Sequence, residues 1–249
     1  MRYDIMGVLV NNVTMDEAVC EITSFLDQRK NRIVVTPNAE ILQMCVQDES
    51  VMAAVKAADF VVPDGVGVIY AAKILKTPLK QKVAGVELAW RLLEKAAQNG
   101  KGVYFFGAKP GVAEQAAKNA VAAYPGLKIS GTRNGYFSEE ELPEIIDNIN
   151  KSGASLLYVC LGAPKQEKWM ADNRDKLNVG AMLGLGGSLN IFAGTAKRAP
   201  RWMINMRLEW LHRLIKEPWR FGRMMRLPLF LISVKKEYRR RKKKEIKKG

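Results

Sequence analysis

The sequence repeats one pattern five times: a short apolar run, a turn of glycine, proline or polar residues, and a stretch with helical spacing. The five segments are RIVVT at 32–36, FVVPDGVG at 60–67, VYFFGAKPG at 103–111, LLYVCLGAPKQE at 156–167 and VGAMLGLGGS at 179–188. Their apolar runs do not alternate with polar residues, which is typical of strands buried on both faces of a parallel sheet. Five such units predict an α/β fold with a mostly parallel sheet and flanking helices.

Two of the predicted helices begin at a capping box. Thr14 is followed three residues later by Glu17, and Ser138 is followed in the same way by Glu141. In this motif the hydroxyl and the carboxylate each accept a backbone N–H group at the start of a helix. We therefore predict one helix over 15–29 and another that begins after Ser138.

The loops after the five apolar runs form the predicted rim of a ligand site, since ligands of parallel α/β sheets bind at the carboxyl ends of the strands. Asp64 lies in one of these loops, in the sequence VPDG. One interpretation is a turn, because Pro-Asp-Gly is common turn chemistry. The other is catalysis, since a carboxylate at this edge is placed to act as a general base.

Three further polar residues follow apolar runs in the same way. Thr36 and Asn38, in VVTPNAE, offer a hydroxyl and an amide for sugar hydroxyls or an acetamido group, and they are equally suited to cap a helix. Gln166 lies in the polar segment GAPKQE, where the alternative is a solvated helix start with proline in its first turn. Both interpretations of each residue remain open at this point.

A glycine-rich turn, GLGGS at 184–188, follows the last apolar run. The backbone N–H groups of Gly186 and Gly187 could bind a diphosphate there, because no side chain shields them. Tight packing is the alternative interpretation. The turn lacks the full G-x-G-x-x-G spacing, and no Walker A sequence occurs in the chain.

Several classes of site are disfavoured by residues that the sequence lacks. His212, the only histidine, lies in the basic C-terminal segment, which argues against a Ser-His-Asp triad and a His-ligated metal. No Asp-x-Asp pair occurs, so we expect no metal ion and no other cofactor. Cys20, Cys45 and Cys160 lie in apolar stretches and are expected to be reduced core residues. Without a signal peptide or an apolar run of ~18 residues, the chain is expected in the cytoplasm.

The last 53 residues carry the whole net charge of the chain. From Lys197 to Gly249 there are 19 Lys and Arg against four Asp and Glu, whereas residues 1–196 contain 21 of each. Such a concentration of positive charge predicts an anionic ligand, which is a membrane surface, a nucleic acid or a phosphorylated substrate.

Three interpretations of this basic segment compete. A solvated charged run does not account for the Trp, Met, Phe and Leu residues among the arginines. Nucleic-acid binding accounts for the charge, although no known nucleic-acid-binding module is present. Two amphipathic helices joined at Pro218 and lying on an anionic membrane account for both features. The ten basic residues of 235–248 favour the membrane, since each contributes about 1 kcal/mol near an anionic leaflet. We expect no nucleic-acid partner.

Eight segments of the sequence, taken in order, resemble the WecG/TagA/CpsF glycosyltransferase family. They are TPNAEIL, VVPDGVGVIYA, KVAGVEL, YFFGAKPGVAEQA, NGYF, LGAPKQEKWM, GLGGSLNIFAGTAKRAP and LEWLHRLIKEPWR, from Thr36 to Arg220. Each segment alone is unspecific, but the ordered set is specific. The likeness is greatest to the TagA branch, which acts in wall teichoic acid synthesis.

The resemblance implies a Rossmann-like core and an inverting transfer of N-acetylmannosamine from UDP-ManNAc to undecaprenyl-diphosphate-linked N-acetylglucosamine. Asp64 corresponds to the proposed base of the family, which deprotonates the acceptor hydroxyl. Thr36, Asn38 and Gln166 correspond to residues thought to hold the sugar.

The resemblance also assigns a role to the C-terminal appendage, whose arginines lie near the donor diphosphate in this family. They correspond here to Arg213, Arg220 and Arg223. This agrees with the composition, because without a metal ion a cation of the protein must stabilise the leaving UDP. Arginine is suited to this role since its guanidinium group pairs with two phosphate oxygens.

The sequence departs from the family pattern at three positions. Lys82 replaces the usual arginine before V-x-G, so a bidentate contact with the donor becomes a point charge. Asn190 replaces a frequent aspartate after the glycine turn, and His212 replaces an aromatic residue. None of these changes affects the proposed base, and the first two concern substrate-binding positions.

We therefore predict a core over 1–195 and a basic helical appendage over 196–249, which docks on the inner face of the cell membrane and completes the site. The expected partners are a UDP-sugar donor, a polyprenyl-diphosphate-linked acceptor and an anionic membrane surface. A homo-oligomer is compatible with the apolar faces of the appendage. Two alternatives remain: another UDP-sugar donor, as in capsule or enterobacterial antigen pathways, and a non-catalytic nucleotide- or nucleic-acid-binding protein.

Overall fold

The structure, a computed structural model, describes residues 1–197, 199–200, 202–203, 206, 209–216, 222 and 225–246, without the side chains of Glu209, Arg213 and Glu245. The chain begins with an antiparallel hairpin of β1 (Arg2–Ile5) and β2 (Val8–Asn11). Met6 and Gly7 form its turn, and both have positive φ. A two-residue turn of this kind matches the twist of the strands that it joins.

Six parallel strands form the central sheet: β3 (Arg32–Val35), β4 (Phe60–Val61), β5 (Gly102–Gly107), β6 (Lys128–Arg133), β7 (Leu156–Cys160) and β8 (Ala181–Gly184). They are arranged in the order β4-β3-β8-β7-β5-β6. The five predicted strands all lie in this sheet, so the predicted α/β, Rossmann-like fold is confirmed.

Helices cover both faces of the sheet. On one face lie α1 (Met15–Phe25), α5 (Gly85–Gln98), α6 (Val112–Ala123) and α9 (Ser188–Phe192). On the other lie α2 (Ala39–Gln47), α3 (Glu49–Lys56), α4 (Val66–Ile74), α7 (Leu142–Lys151), α8 (Lys165–Asn173) and α11 (Arg226–Ile246). The C-terminal segment also contains α10 (Glu209–Lys216), and 3-10 turns span Glu139–Glu141 and Arg174–Lys176.

The side chains of each strand alternate between two hydrophobic layers. Phe105 and Tyr158 stack in one layer with their ring centroids 5.5 Å apart, while Phe106 packs on Trp169 in the other at 4.9 Å. All six residues of β5 are buried. Burial on both faces explains why the strand sequences are continuously apolar.

Two elements of the sheet architecture were not predicted. β6 reads KISGTR, and it lies at the edge of the sheet with none of its residues fully buried. The hairpin β1–β2 packs outside the central sheet. β6 has no uninterrupted apolar run, because it is not buried on both faces. The short apolar run of β2 is buried on one side only, through Val8 and Val10, whereas Leu9 is exposed.

Both predicted capping boxes are present, although α1 is shorter than predicted. Thr14 and Glu17 exchange the expected hydrogen bonds at the start of α1. The predicted helix over 15–29 ends at Phe25, and Arg29 has a φ of 42°, which no right-handed helix accommodates. The box formed by Ser138 and Glu141 begins a 3-10 turn, and α7 follows that turn.

The prediction that all three cysteines are core residues is wrong for Cys20. Cys45 and Cys160 are buried, and burial raises the pKa of each thiol to about 12. Cys20 is exposed. Its neighbours Val19 and Ile22 face the core, which turns position 20 toward solvent on the far side of α1.

The C-terminal helix α11 packs against α2 and α4. Its Phe230 and Val234 are fully buried in the same hydrophobic layer as these helices. Arg226 forms an ion pair with Glu40 of α2 at 3.2 Å. No helix within the described ranges is both long enough and apolar enough to cross a bilayer.

Phe230→Ala should lower the free energy of unfolding by about 3–5 kcal/mol, because it removes buried contacts and leaves a cavity between α11 and the body. Urea unfolding measures this change. Leu229→Ala is the matched control, since Leu229 is 47% exposed on the same helix, and it should change stability by less than about 0.5 kcal/mol. Equal effects of the two substitutions would contradict this packing of α11.

Candidate active site

The carboxyl ends of β3, β4 and β8 form one edge of the central sheet, where several predicted site residues meet. α2 follows β3 and α9 follows β8, and these two helices lie on opposite faces although their strands are neighbours. In open α/β sheets such a reversal creates a crevice outside the strand ends, where ligands bind.

Asp64 lies half-buried in the loop after β4. Its backbone N–H donates to the Pro37 carbonyl at 3.3 Å, in the loop after β3. The Val83 N–H donates to the Pro63 carbonyl at 2.9 Å, just before α5 begins. These hydrogen bonds connect three loops, so the position of Asp64 is fixed relative to both neighbouring loops.

Thr36 and Asp64 converge at Gly85, the first residue of α5. A Cβ atom on Gly85 would lie 3.1 Å from the Thr36 Oγ1 and 3.4 Å from the Asp64 Oδ2. Thr36 is buried, and its hydroxyl donates to the Gly184 carbonyl at 3.0 Å. The two predicted residues therefore lie side by side where α5 has no side chain.

Asn38 caps α2, which is the structural role that its position also predicts. Its Oδ1 accepts the Ile41 N–H at 3.0 Å. The cap leaves the Nδ2 of the amide, a group with two N–H donors, outside this hydrogen bond. The predicted contact of Asn38 with a sugar stays a prediction.

Gln166 is buried at the start of α8 and 2% exposed. Its Oε1 accepts the Gly186 N–H at 2.9 Å, and its Nε2 donates to the Glu167 Oε1 at 2.8 Å. This polar start of α8 is therefore not solvated. The amide of Gln166 binds the glycine turn after β8, and its predicted contact with the sugar stays a prediction.

The glycine turn lies between β8 and α9, as predicted. Gly186 has a φ of 54°, in the region that favours glycine, and Gly187 is exposed. Asn190 is half-buried, and its backbone carbonyl accepts both the Ala196 N–H and the Thr195 hydroxyl. The turn thus presents the exposed Gly187 backbone next to the loop of Thr36, which follows the neighbouring strand β3.

The predicted cationic residues are distributed differently. Lys82 is half-buried in the loop that leads to α5, next to Val83. Arg213 lies on α10, but its side chain is outside the described part of the structure. Arg220 and Arg223 lie outside the described residues altogether.

Three helices begin at this edge of the sheet: α4 just after Asp64, α5 at Gly85 and α8 beside Gln166. Among the described residues, no side chain caps any of these N-termini. Helix N-termini carry unpaired N–H groups and a partial positive charge, so this arrangement suits an anionic ligand such as a diphosphate. In the same described ranges, no group of three or more His, Cys, Asp or Glu residues is arranged to hold a metal ion.

Two residues of the site were missed by sequence reasoning. Gly85 belongs to the segment KVAGVEL, which shows no turn or cap pattern that marks it. Glu167 is 1% exposed, and burial raises the pKa of its carboxyl group. Its only sequence signal is its place next to Gln166 in a polar segment that directly follows an apolar run.

Comparisons with known proteins identify the family of this chain. The model of the glycosyl transferase WecG/TagA/CpsF family matches residues 3–244. A relative from Bacillus spizizenii is 36% identical over 217 residues, which cover 87% of this chain and 84% of the relative. A relative from Staphylococcus aureus (strain MW2) is 32% identical over 244 residues, which cover 97% and 95%.

Both relatives are named N-acetylglucosaminyldiphosphoundecaprenol N-acetyl-beta-D-mannosaminyltransferase. The match of the family model extends over the sheet, its loops and most of α11. The chain therefore belongs to the WecG/TagA/CpsF family of glycosyltransferases.

Proposed function

We propose that this glycosyltransferase transfers N-acetylmannosamine from UDP-ManNAc to N-acetylglucosaminyl-diphospho-undecaprenol, with inversion at the anomeric carbon. The names of the relatives supply the transferred sugar and the acceptor. The observation that supports such a reaction in this chain is the convergence of Asp64 and Thr36 at Gly85. A carboxylate at the carboxyl edge of the sheet is suited to activate an acceptor hydroxyl.

Asp64 is the general base of this reaction. Its carboxylate accepts the proton of the acceptor hydroxyl while the hydroxyl oxygen attacks the anomeric carbon of the donor. The bond between that carbon and the diphosphate oxygen breaks, and UDP leaves with the electron pair. A single displacement of this kind inverts the anomeric configuration.

The leaving UDP is stabilised by cationic and dipolar groups of the protein. The uncapped N-termini of α4, α5 and α8 contribute backbone N–H groups, and Gly187 contributes the N–H group of the glycine turn. The Gly186 N–H, which the sequence predicts for the same role, donates instead to Gln166. The family resemblance assigns the same role to Arg213, Arg220 and Arg223, whose side chains lie outside the described part of the structure. Preorganised donors of this type are worth several kcal/mol at a developing charge, about 2.7–4 kcal/mol for a single donor. A metal ion is then not required.

The polar residues around Asp64 hold the two substrates. Thr36 and Gln166 keep the backbone around the donor sugar in place, and Asn38 binds the sugar through its Nδ2 group. Lys82 and Asn190 contact the donor from the loop before α5 and from α9. This assignment uses side chains from two loops and from the helices α8 and α9, which begin at the same edge of the sheet.

Asp64→Asn should abolish transfer while UDP binding changes by less than about threefold, because the amide keeps the shape of the carboxylate but does not act as a base. The assay combines UDP-ManNAc with a short-chain lipid-diphosphate acceptor, and mass spectrometry detects an acceptor heavier by one N-acetylhexosamine. EDTA should leave the wild-type rate unchanged. Equal loss of transfer and UDP binding would instead indicate a structural turn at Asp64, and inhibition by EDTA would indicate a metal ion.

Gly85→Ala should reduce kcat roughly 100-fold, because a new Cβ atom 3.1 Å from the Thr36 hydroxyl displaces groups of the reaction centre. The tight contact with the buried Thr36 costs stability, and the better helix propensity of alanine offsets part of that cost. We therefore expect a folded protein with a melting temperature at or somewhat below that of the wild type. Unchanged kcat in a folded G85A protein would contradict this arrangement.

The two enzymatic alternatives differ in the donor sugar. A panel of UDP-sugars with one lipid acceptor distinguishes UDP-ManNAc from glucosyl or acetamidoglucuronosyl donors, and the names of the relatives favour the first. Membership of a glycosyltransferase family favours an enzyme over the non-catalytic alternative.

We also propose that the C-terminal segment docks the enzyme on the cytoplasmic face of the membrane, where a lipid-linked acceptor is accessible. Leu229 and Ile232 are 47% and 51% exposed on α11. They lie three residues apart on one face, while Phe230 and Val234 are buried on the other. Exposed lysines follow from Lys235 onward. An apolar patch beside basic residues suits an anionic membrane surface.

Flotation with phosphatidylglycerol vesicles tests this docking. Binding of the wild type should weaken with salt but persist, since the apolar contribution is not screened. Leu229→Asp combined with Ile232→Asp should remove the part of vesicle binding that persists at high salt. Vesicle binding that disappears entirely at high salt, or stronger binding to DNA than to vesicles, would contradict the proposal.

A further inference from the structure

Two adjacent buried side chains at the start of α8 hold the glycine turn after β8. The Glu167 Oε1 accepts the Gln166 Nε2 at 2.8 Å, and the Gln166 Oε1 accepts the Gly186 N–H at 2.9 Å. Glu167 and Gln166 are 1% and 2% exposed. The hydrogen bonds form one chain from a carboxyl group in the core to the backbone of the turn.

The two partners fix the orientation of the Gln166 amide. A backbone N–H is only a donor, so the Gly186 N–H requires the amide oxygen on its side. The Glu167 Oε1 accepts, so it requires the amide nitrogen on the other side. Both requirements agree, and a flipped amide would satisfy neither.

Thr36 binds the same turn from the neighbouring strand. Its hydroxyl donates to the Gly184 carbonyl at 3.0 Å. A Cβ atom on Gly184 would lie only 3.0 Å from the Gln166 Nε2, so the absence of a side chain there allows the amide to reach its place. The turn is therefore held from two sides by buried side chains of different elements.

Burying Glu167 costs free energy, since a carboxyl group loses its hydration in the core. Its second oxygen, Oε2, has no hydrogen-bond partner among the described residues, and burial raises the pKa of the group. An apolar residue would avoid this cost at a position that packs in the core. The hydrogen bond to Gln166 is the contact that an apolar residue would not provide.

We infer that Glu167 is a positioning residue, which orients the Gln166 amide and so sets the glycine turn whose Gly187 N–H binds the diphosphate of the donor. The inference rests on the proposed function for the identity of that ligand. Without an acceptor at 167, the buried Gln166 Nε2 loses its partner, and only the Gly186 N–H still selects the orientation of the amide. In the flipped state its N–H groups face the Gly186 N–H, and the turn shifts because two donors oppose each other.

Substitutions at 166 and 167 test this inference through UDP binding, measured by calorimetry, and through the NMR resonance of the Gly186 amide. Glu167→Leu should weaken UDP binding about 10- to 100-fold and shift that resonance, because a buried donor loses its acceptor. Glu167→Gln should bind UDP within about threefold of the wild type, since its side-chain oxygen still accepts the Gln166 amide.

A swap of the two side chains provides the decisive control. Gln166→Glu alone places two carboxyl groups against each other and should lose UDP binding. Gln166→Glu combined with Glu167→Gln again pairs one carboxyl group with one amide, and the new carboxylate accepts the Gly186 N–H. The double variant should recover binding to within about threefold of the wild type.

Two results would overturn the inference: E167L protein that binds UDP normally with an unmoved Gly186 resonance, or a folded double variant that fails to recover binding. If E167L does not fold, the Glu167→Gln and Gln166→Glu variants and their combination test the inference instead. These measurements do not involve the acceptor or the sugar. A wild type that binds UDP but does not transfer N-acetylmannosamine would therefore refute the proposed function alone, whereas a wild type that does not bind UDP would refute both.

Discussion

The carboxyl edge of the sheet is packed so closely that glycine occupies three positions where a Cβ atom would lie 3.1 Å or less from a neighbouring group, and the site depends on this packing. A Cβ atom on Gly67 would lie 2.7 Å from the Ala39 Cβ, and one on Gly184 would lie 2.9 Å from the Met170 Cε. A Cβ atom on Gly85 would lie 3.1 Å from the Thr36 Oγ1 and 3.4 Å from the Asp64 Oδ2. These contacts let α2 and α4 begin side by side and bring α8 against β8. Side chains from separate loops can then meet at one point, because no side-chain bulk separates their backbones.

The polar residues of this edge bind the protein backbone before they bind any ligand. Thr36 binds the Gly184 carbonyl, Asn38 caps α2 and Gln166 binds the glycine turn. The structural and the ligand-binding interpretations of such residues therefore do not exclude each other. A buried hydrogen bond fixes the side chain and leaves its remaining polar group, or the backbone that it holds, in a defined direction. Preorganisation of this kind lowers the cost of stabilising charge as it develops on a leaving group.

The sequence predicts this fold wherever burial is uniform and fails where it is one-sided. The strands Arg32–Val35 and Leu156–Cys160 are buried on both faces, so their apolar runs identify them directly. The edge strand Lys128–Arg133 is half-exposed and contains Gly131 under the Tyr104 ring, so its sequence resembles a loop. For the site, the ends of the predicted strands identify the loops and the polar residues in them. Gly85 contacts residues that are remote in the sequence, and the contacts of Glu167 lie in the core. No local sequence pattern encodes such contacts.

The C-terminal helix α11 contacts α2 and α4, the two helices that begin at the loops of the site. Leu227 lies over Gly67, where a Cβ atom would come within 2.9 Å of its Cδ1, and Arg226 pairs with Glu40 at 3.2 Å. Gly67 belongs to α4, which begins just after Asp64, and Glu40 belongs to the first turn of α2. If α11 lies on the membrane as proposed, the helix that meets the lipid also supports the loop that carries the base. Binding to the membrane and alignment of the reacting groups would then depend on the same packing, because buried Phe230 and exposed Ile232 are opposite faces of one rigid helix.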